Sequence, residues 1–285
     1  MNIETTELIV GPKGRQGFLS LAKRTIANIK AYRFFIHQLV RIRILGDFKR
    51  SFLGILWLFI MPIVAVIVWI LLNGAGIVAP GETDIPYPAF VLLSTSIWGF
   101  FAEIYRSTST IFSNNGRMMI MARFPHETLL AERIIVHIIR FLIPFIVNLI
   151  VLLIFGVRFT WAALLFPLTL IPLLLLGSAI GMIVGVFRVV ATDLSGICDE
   201  GIRFLMFLTP IVYAPKIEIS WLSTIVTYNP MTYLIGFSRD ILTKGTFYEP
   251  MKFALCTLGS LLLFILAIRV FLTIGPKLLE RLINN

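Results

Sequence analysis

Charge is scarce in this chain. Only 14% of its 285 residues are Asp, Glu, Lys or Arg, while 58% are hydrophobic and the mean hydropathy is +0.92. That balance excludes a soluble globular domain and predicts an integral membrane protein. Cysteine is nearly absent. Cys198 and Cys256 both lie in apolar surroundings, where a thiol acts as a small hydrophobe, so neither a disulfide framework nor a cysteine metal site is expected. The three histidines, His37, His126 and His137, are scattered, and there is no HExxH segment. No GxxxxGK[ST] loop is present to cradle ATP phosphates. Glu103 has no second carboxylate nearby in sequence to share acid and base work. The expectation is therefore no catalytic residue, no metal and no cofactor in this chain. Internal repeats and low-complexity stretches are also missing, and no short cleavable leader is expected, because the first apolar run begins some fifty residues in and exceeds a leader's apolar region.

The charge that does occur is concentrated. The net charge is +10, and residues 1–50 hold ten Lys or Arg against Glu4, Glu7 and Asp47. Arg41, Arg43, Lys49 and Arg50 stand just ahead of Phe52, and from there to Leu72 no residue is charged. Those twenty-one residues make roughly 31 Å of helix at about 1.5 Å each, enough for a hydrocarbon core of about 30 Å. Basic residues at the head of a first span favour the cytoplasm and anionic lipid headgroups, which removes nucleic acid as the partner. Ahead of them, residues 18–45 place Tyr32, Phe35, Ile36, Leu39 and Ile42 on one helical face and Arg33, His37 and Arg41 on another. This is the pattern of an interfacial helix.

Further spans are expected at about 89–112, 134–155, 161–187, a shorter one ending near Ala214, and 253–274. The loop at 73–88 carries Glu82 and Asp84 without Lys or Arg and reads as external, which leaves both termini cytoplasmic. The expected class is all-α and polytopic, with a lead and interfacial helix at 1–50 and a six-helix domain at 51–285. Residues 113–128 break the apolar pattern on the cytoplasmic side. Residues 215–250 are too polar and broken for a full crossing. Gly177, Gly181 and Gly185 recur at four-residue spacing, a face that suits either a dimer seam or packing within the chain. Glu103 and Arg106 share a face inside the second span, where charges turn to a polar cavity. With Tyr105 beside them, and Trp57, Trp98, Phe101 and Tyr213 in or near spans, they form a candidate substrate channel, since flat rings pack on sugar faces. Interfacial anchoring explains Trp and Tyr at membrane surfaces equally well.

The run of basic residues followed by KRSFLGILW and Pro62 resembles the start of the polysaccharide-exporting ABC transporter permeases, the Wzm and teichoic-acid exporter kind. Their usual form is close to RYKxSxLGxxWxxxxP. Lys49, Ser51, Leu53, Gly54, Trp57 and Pro62 match, and Asp47 and Phe48 stand where Arg and Tyr are more usual. TPIVYA, Trp221 and YNPMTYLIGFSRDIL are similar to that family's SPIFYP, Trp and NPLxxLIxxxR. Phe124, Pro125 and Glu127, behind Arg123, match its FPxE ending. The resemblance implies a transport subunit that exports a polysaccharide on a polyprenyl diphosphate lipid, such as O antigen, capsule or teichoic acid, across the inner membrane. It also implies a homodimer, and a separate ATPase subunit holding ATP and Mg. In that family 113–128 docks the ATPase through Arg123, Phe124, Pro125 and Glu127, and 215–250 forms re-entrant outer helices. Arg41, Arg43, Lys49 and Arg50 lie at the level where a lipid diphosphate would be admitted. A drug or lipid efflux permease, or a membrane enzyme acting on lipid-linked sugars, remains open as an alternative.

Overall fold

A computed structural model describes residues 18–49, 56–77, 81, 83–121, 124–214 and 220–284. Every regular element among them is a helix. The segment expected to lie at the interface is two helices, α1 (Phe18–Ala31) and α2 (Arg33–Lys49), followed by α3 (Leu56–Gly74), α4 (Tyr87–Ser109), α5 (Ile111–Met121) and α6 (Glu127–Ile154). A 3-10 turn at Trp161–Leu165 leads into α7 (Phe166–Thr169) and α8 (Ile171–Val190). Then come α9 (Thr192–Phe207), α10 (Ser220–Tyr228), α11 (Pro230–Thr243) and α12 (Pro250–Asn284). Among the described residues, four stretches are long and apolar enough to cross a membrane: Tyr87–Ser109, Glu127–Ile154, Trp161–Val190 and Pro250–Gly275.

The centre of the fold is α8, with α4 packed on one side and α12 on another. The glycine stripe explains the first contact. A Cβ at Gly181 would lie 1.9 Å from Thr108 Oγ1 and 2.5 Å from the Tyr105 carbonyl oxygen, and one at Gly177 would lie 2.8 Å from the Phe101 carbonyl oxygen. Only hydrogen at these positions lets the two backbones approach so closely. Of the two uses open to the stripe, the seam is within the chain.

Several boundaries depart from expectation. The third span begins at Glu127, two turns before its apolar run, because Glu127, Glu132 and Arg133 are all buried against neighbouring elements. Residues 188–200, expected as a cytoplasmic connector, are helical except at Ala191, whose extended backbone (φ −148°, ψ 91°) separates α8 from α9. Pro167 and Pro172 fall in the first turns of α7 and α8, where a missing N–H removes no helical bond. Pro276 does not end the last helix, which continues to Asn284. The adjoining Gly275 packs so closely on Phe112 and His126 that tertiary contact holds the helix across it. On α2 the packed residues are Ile36 and Val40, set against Val136 of α6, whereas Ile42 is exposed.

The polar stretch before α12 is the pair of short helices α10 and α11. Asn229 caps α11 by accepting from the Met231 N–H (2.9 Å), while its Nδ2 donates to Thr209 Oγ1 (2.8 Å). Pro230 follows in the first turn, where its fixed φ suits a helix start. Arg239 is buried with its guanidinium 4.2 Å from the centre of the Phe90 ring, and its Nη1 donates to Ser94 Oγ (3.2 Å) and the Pro210 carbonyl (3.5 Å). The TPIVYA and NPMTYLIGFSR segments are therefore joined to each other and to α4.

Candidate functional site

Between α4 and α9 lies a cavity of about 480 Å³ whose wall includes Glu103, Tyr105, Arg106, Arg188, Asp199 and Arg203. Three elements supply its polar groups. From α4, at 100° per residue, Gly99, Ala102, Glu103 and Arg106 share the open face, with Thr110 at the cap just beyond. Arg188 comes from the last turn of α8, and Asp199 from the face of α9 that rests on α8.

Each charge at the wall has a partner. Arg188 Nη2 donates to both oxygens of Asp199, at 2.9 and 2.8 Å, and Tyr105 Oη donates to Asp199 Oδ1 at 2.6 Å. Asp199 thus ties α4, α8 and α9 together through one carboxylate. Arg106 pairs with Glu103 one turn back, and Arg203 with Glu200. Paired charges tolerate the low-dielectric surroundings of membrane helices, where single ones do not. The result is a largely apolar wall set with paired charges close to neutral in sum, which offer donors and acceptors. It is able to exchange hydrogen bonds with a hydroxylated solute.

Of the candidate channel residues, Glu103, Tyr105 and Arg106 meet at this wall. Trp98 and Phe101 do not. They lie on the opposite face of α4, buried in the core with ring centres 5.3 Å apart. Tyr213 is half-buried beyond the end of α9, its hydroxyl donating to the Phe207 carbonyl at 3.1 Å, and Trp57 is exposed on α3. Sequence reasoning missed Arg188 and Asp199 because it placed 188–200 in a connector, and passed over Arg203 within the shorter span expected after it. A usable signal was present in Asp199, Glu200 and Arg203, charges one turn apart within a segment that also carries Leu194, Ile197, Phe204 and Phe207.

The FPxE segment packs against α1 and α2. The Phe124 ring lies 5.0 Å from that of Phe35, and Glu127 Oε1 accepts from Asn28 Nδ2 at 2.7 Å. Pro125 is half-buried, and Arg123 lies outside the described residues. Burial pushes the pKa of His126 below its ordinary value, against the opposing pull of Glu127. Among the basic residues ahead of the first span, Arg43 forms an ion pair with the fully buried Glu132 of α6, and Arg41 is exposed. Lys49 is the last residue of α2, and Arg50 lies outside the described residues.

The family described as ABC-2 type transporter matches residues 36–243. The chain is similar to the O-antigen export system permease protein RfbA of Myxococcus xanthus, 24% identical over 229 residues that cover 79% of this chain and 85% of that protein. It is also similar to a protein of the same name from Klebsiella pneumoniae, 24% identical over 204 residues, 70% of this chain and 76% of the relative.

Proposed function

Because this chain belongs to the ABC-2 type transporter family, we propose that it is the permease subunit of an ABC exporter that carries a lipid-linked polysaccharide out of the cytoplasm across the inner membrane. The substrate class rests on the relatives named for O-antigen export. The observation that carries the reading is the cavity walled by Tyr105, Arg188 and Asp199. Its paired charges and hydroxyl suit a solute that is polar, uncharged along most of its length and able to slide past exchangeable hydrogen bonds.

Two copies enclose the path in this proposal. Support comes from α9, which packs chiefly on α8 and buries only Ser195 while exposing both charged side chains and Ile197, Phe204 and Phe207. Such a mixed face suits neither lipid nor water alone, and a second copy would cover it. Six crossings, with α3 the first and α9 the fifth, leave both termini cytoplasmic. In this reading α10 and α11 dip into the outer leaflet without crossing it.

ATP and Mg belong to a separate ATPase subunit, which docks near Phe124, Pro125 and Glu127. Arg41, Arg43, Lys49 and Arg50 receive the lipid diphosphate at the cytoplasmic headgroup level, where an Arg fork binds phosphate well. The test is deletion of this chain followed by analysis of lipid-linked glycans on each side of the membrane. Accumulation inside supports the proposal. An unchanged distribution, or retention of a drug or simple lipid instead, refutes the polysaccharide assignment.

A further inference from the structure

Glu132 is buried at the head of α6 with an arginine on each carboxylate oxygen. Its Oε1 pairs with the Nε of Arg43 on α2, and its Oε2 lies 3.5 Å from the Nε of Arg133, its neighbour on α6. The two partners are unequal. The Arg133 side chain is 6% exposed and lies inside the fold, whereas that of Arg43 is 29% exposed and reaches the surface. The helix period brings Arg43 there, since Ile36, Val40 and Ile44 seat α2 on Val136 and Ala131 of α6 and Arg43 falls on the same stripe.

Two arginines on one buried carboxylate change what the loss of either means. A buried ion left alone is strongly unfavourable. Glu132 is not left alone when Arg43 departs, because Arg133 stays beside it. No hydrogen bond among the described residues engages the Arg133 Nε or Nη2, so these donors are at hand to close the 3.5 Å gap. Arg43 is therefore exchangeable. An anion arriving at the half-exposed guanidinium can take it while the buried carboxylate keeps a countercharge.

Charge decides which anion succeeds. The phosphodiester of a bulk phospholipid such as phosphatidylglycerol carries one negative charge, no more than Glu132 already offers from a fixed position, and gains nothing by the exchange. A diphosphate diester carries two, with acceptor oxygens that suit the planar guanidinium fork, and it outcompetes the single carboxylate. We propose that Glu132 is a built-in competitor for Arg43, which it occupies until the doubly charged diphosphate of a lipid carrier displaces it, so that bulk anionic phospholipid is refused. This rests on the reading above, in which Arg43 receives the lipid diphosphate, and adds what makes that reception selective.

Equilibrium binding of a radiolabelled farnesyl-diphosphate-linked monosaccharide to the full chain in phosphatidylcholine nanodiscs tests this. Glu132→Gln should tighten binding about tenfold, the equivalent of one charge-assisted hydrogen bond no longer contested. Arg133→Gln should loosen it by about as much, because Glu132 then has Arg43 alone as its countercharge. Damage to the fold would weaken binding in both, so opposite signs mark competition, and either variant alone gives the sign where the other fails to fold. A minor fraction of phosphatidylglycerol in the nanodisc should leave binding to the native chain unchanged and displace the probe from Glu132→Gln. Arg43→Gln should weaken binding and abolish the gain from Glu132→Gln. Unchanged or weaker binding in a folded Glu132→Gln chain, or displacement from the native chain by phosphatidylglycerol, overturns the competitor and leaves Arg43 as the receiving residue. Unchanged binding in Arg43→Gln overturns the diphosphate reading of Arg43 and the competitor with it.

Discussion

Gly181→Ala should be among the most damaging single-methyl changes in this protein, and a graded series shows why. The new Cβ would meet the Tyr105 carbonyl at 2.5 Å as well as the Thr108 hydroxyl at 1.9 Å. The hydroxyl can rotate away, but the carbonyl is backbone. Reaching ordinary contact distance therefore requires α4 and α8 to part by about 1 Å along much of their shared seam. Overpacking of this kind costs about 1–3 kcal/mol, and a clash with backbone places Gly181→Ala near ~3 kcal/mol. Gly177→Ala, at 2.8 Å from the Phe101 carbonyl, should cost slightly less. Gly185→Ala, whose nearest atom is 3.1 Å away, should cost about 1 kcal/mol at the low end of that range. Gly259→Ala on α12 meets nothing within 4 Å and should stabilise by up to ~1 kcal/mol through helix propensity. Thr108→Ala combined with Gly181→Ala should recover only part of the loss, since the carbonyl clash remains. Unfolding of the purified variants in detergent, followed by heat or denaturant, provides the ranking. Equal effects at Gly181 and Gly259, or full rescue by Thr108→Ala, would refute the backbone seam.

Asp199→Asn should weaken the tie among α4, α8 and α9 by about 1–3 kcal/mol, because a charge-assisted bond is lost and Arg188 is left unpaired. Exchanging the pair as Arg188→Asp with Asp199→Arg should restore some stability but not export, measured as surface glycan, because Tyr105 then faces an arginine. Arg43→Ala should destabilise by about 1–3 kcal/mol, because the buried Glu132 keeps only its longer contact to Arg133 (3.5 Å), and adding Glu132→Gln should recover only part of that, since Arg133 then loses its carboxylate. If Arg43 instead serves only the lipid diphosphate, the single variant melts normally while export falls. Phe124→Ala should cost about 0.5–1.5 kcal/mol for the Phe35 contact, and Phe124→Ala with Glu127→Gln should uncouple ATP hydrolysis from export while the chain still inserts. A double variant with normal coupling would confine both residues to holding the interfacial helices. A cysteine placed at Asp84 should react with an impermeant thiol reagent only from outside, and labelling from the cytoplasm would invert the topology.

Much of the membrane architecture was legible in the sequence because hydrocarbon imposes a length and an apolarity that a linear chain must display residue by residue. The runs at 89–112, 134–155 and 253–274 each mark a helix, and the polar stretch 215–250 marks the short pair α10 and α11. Local chemistry was equally readable at Asn229 and Pro230, a cap residue followed by a first-turn proline. Boundaries were less readable. Glu127, Glu132 and Arg133 are charges at the head of an apolar run, and they are buried because Asn28 reaches Glu127 from α1, Arg43 reaches Glu132 from α2, and Glu132 itself lies 3.5 Å from Arg133.

What the sequence by itself determined is that this chain lives in a membrane, is helical, and gathers its positive charge ahead of the first apolar run. Those properties are sums over neighbours along the chain. The tertiary structure alone decided which faces meet. It turned the Gly177, Gly181 and Gly185 stripe onto α4, took Trp98 and Phe101 into the core, and set Arg188 and Asp199, eleven positions apart, beside Tyr105. A helix presents every face equally to one-dimensional inspection. Its buried side is chosen only when close packing between whole helices selects the one arrangement without clashes or unpaired charges.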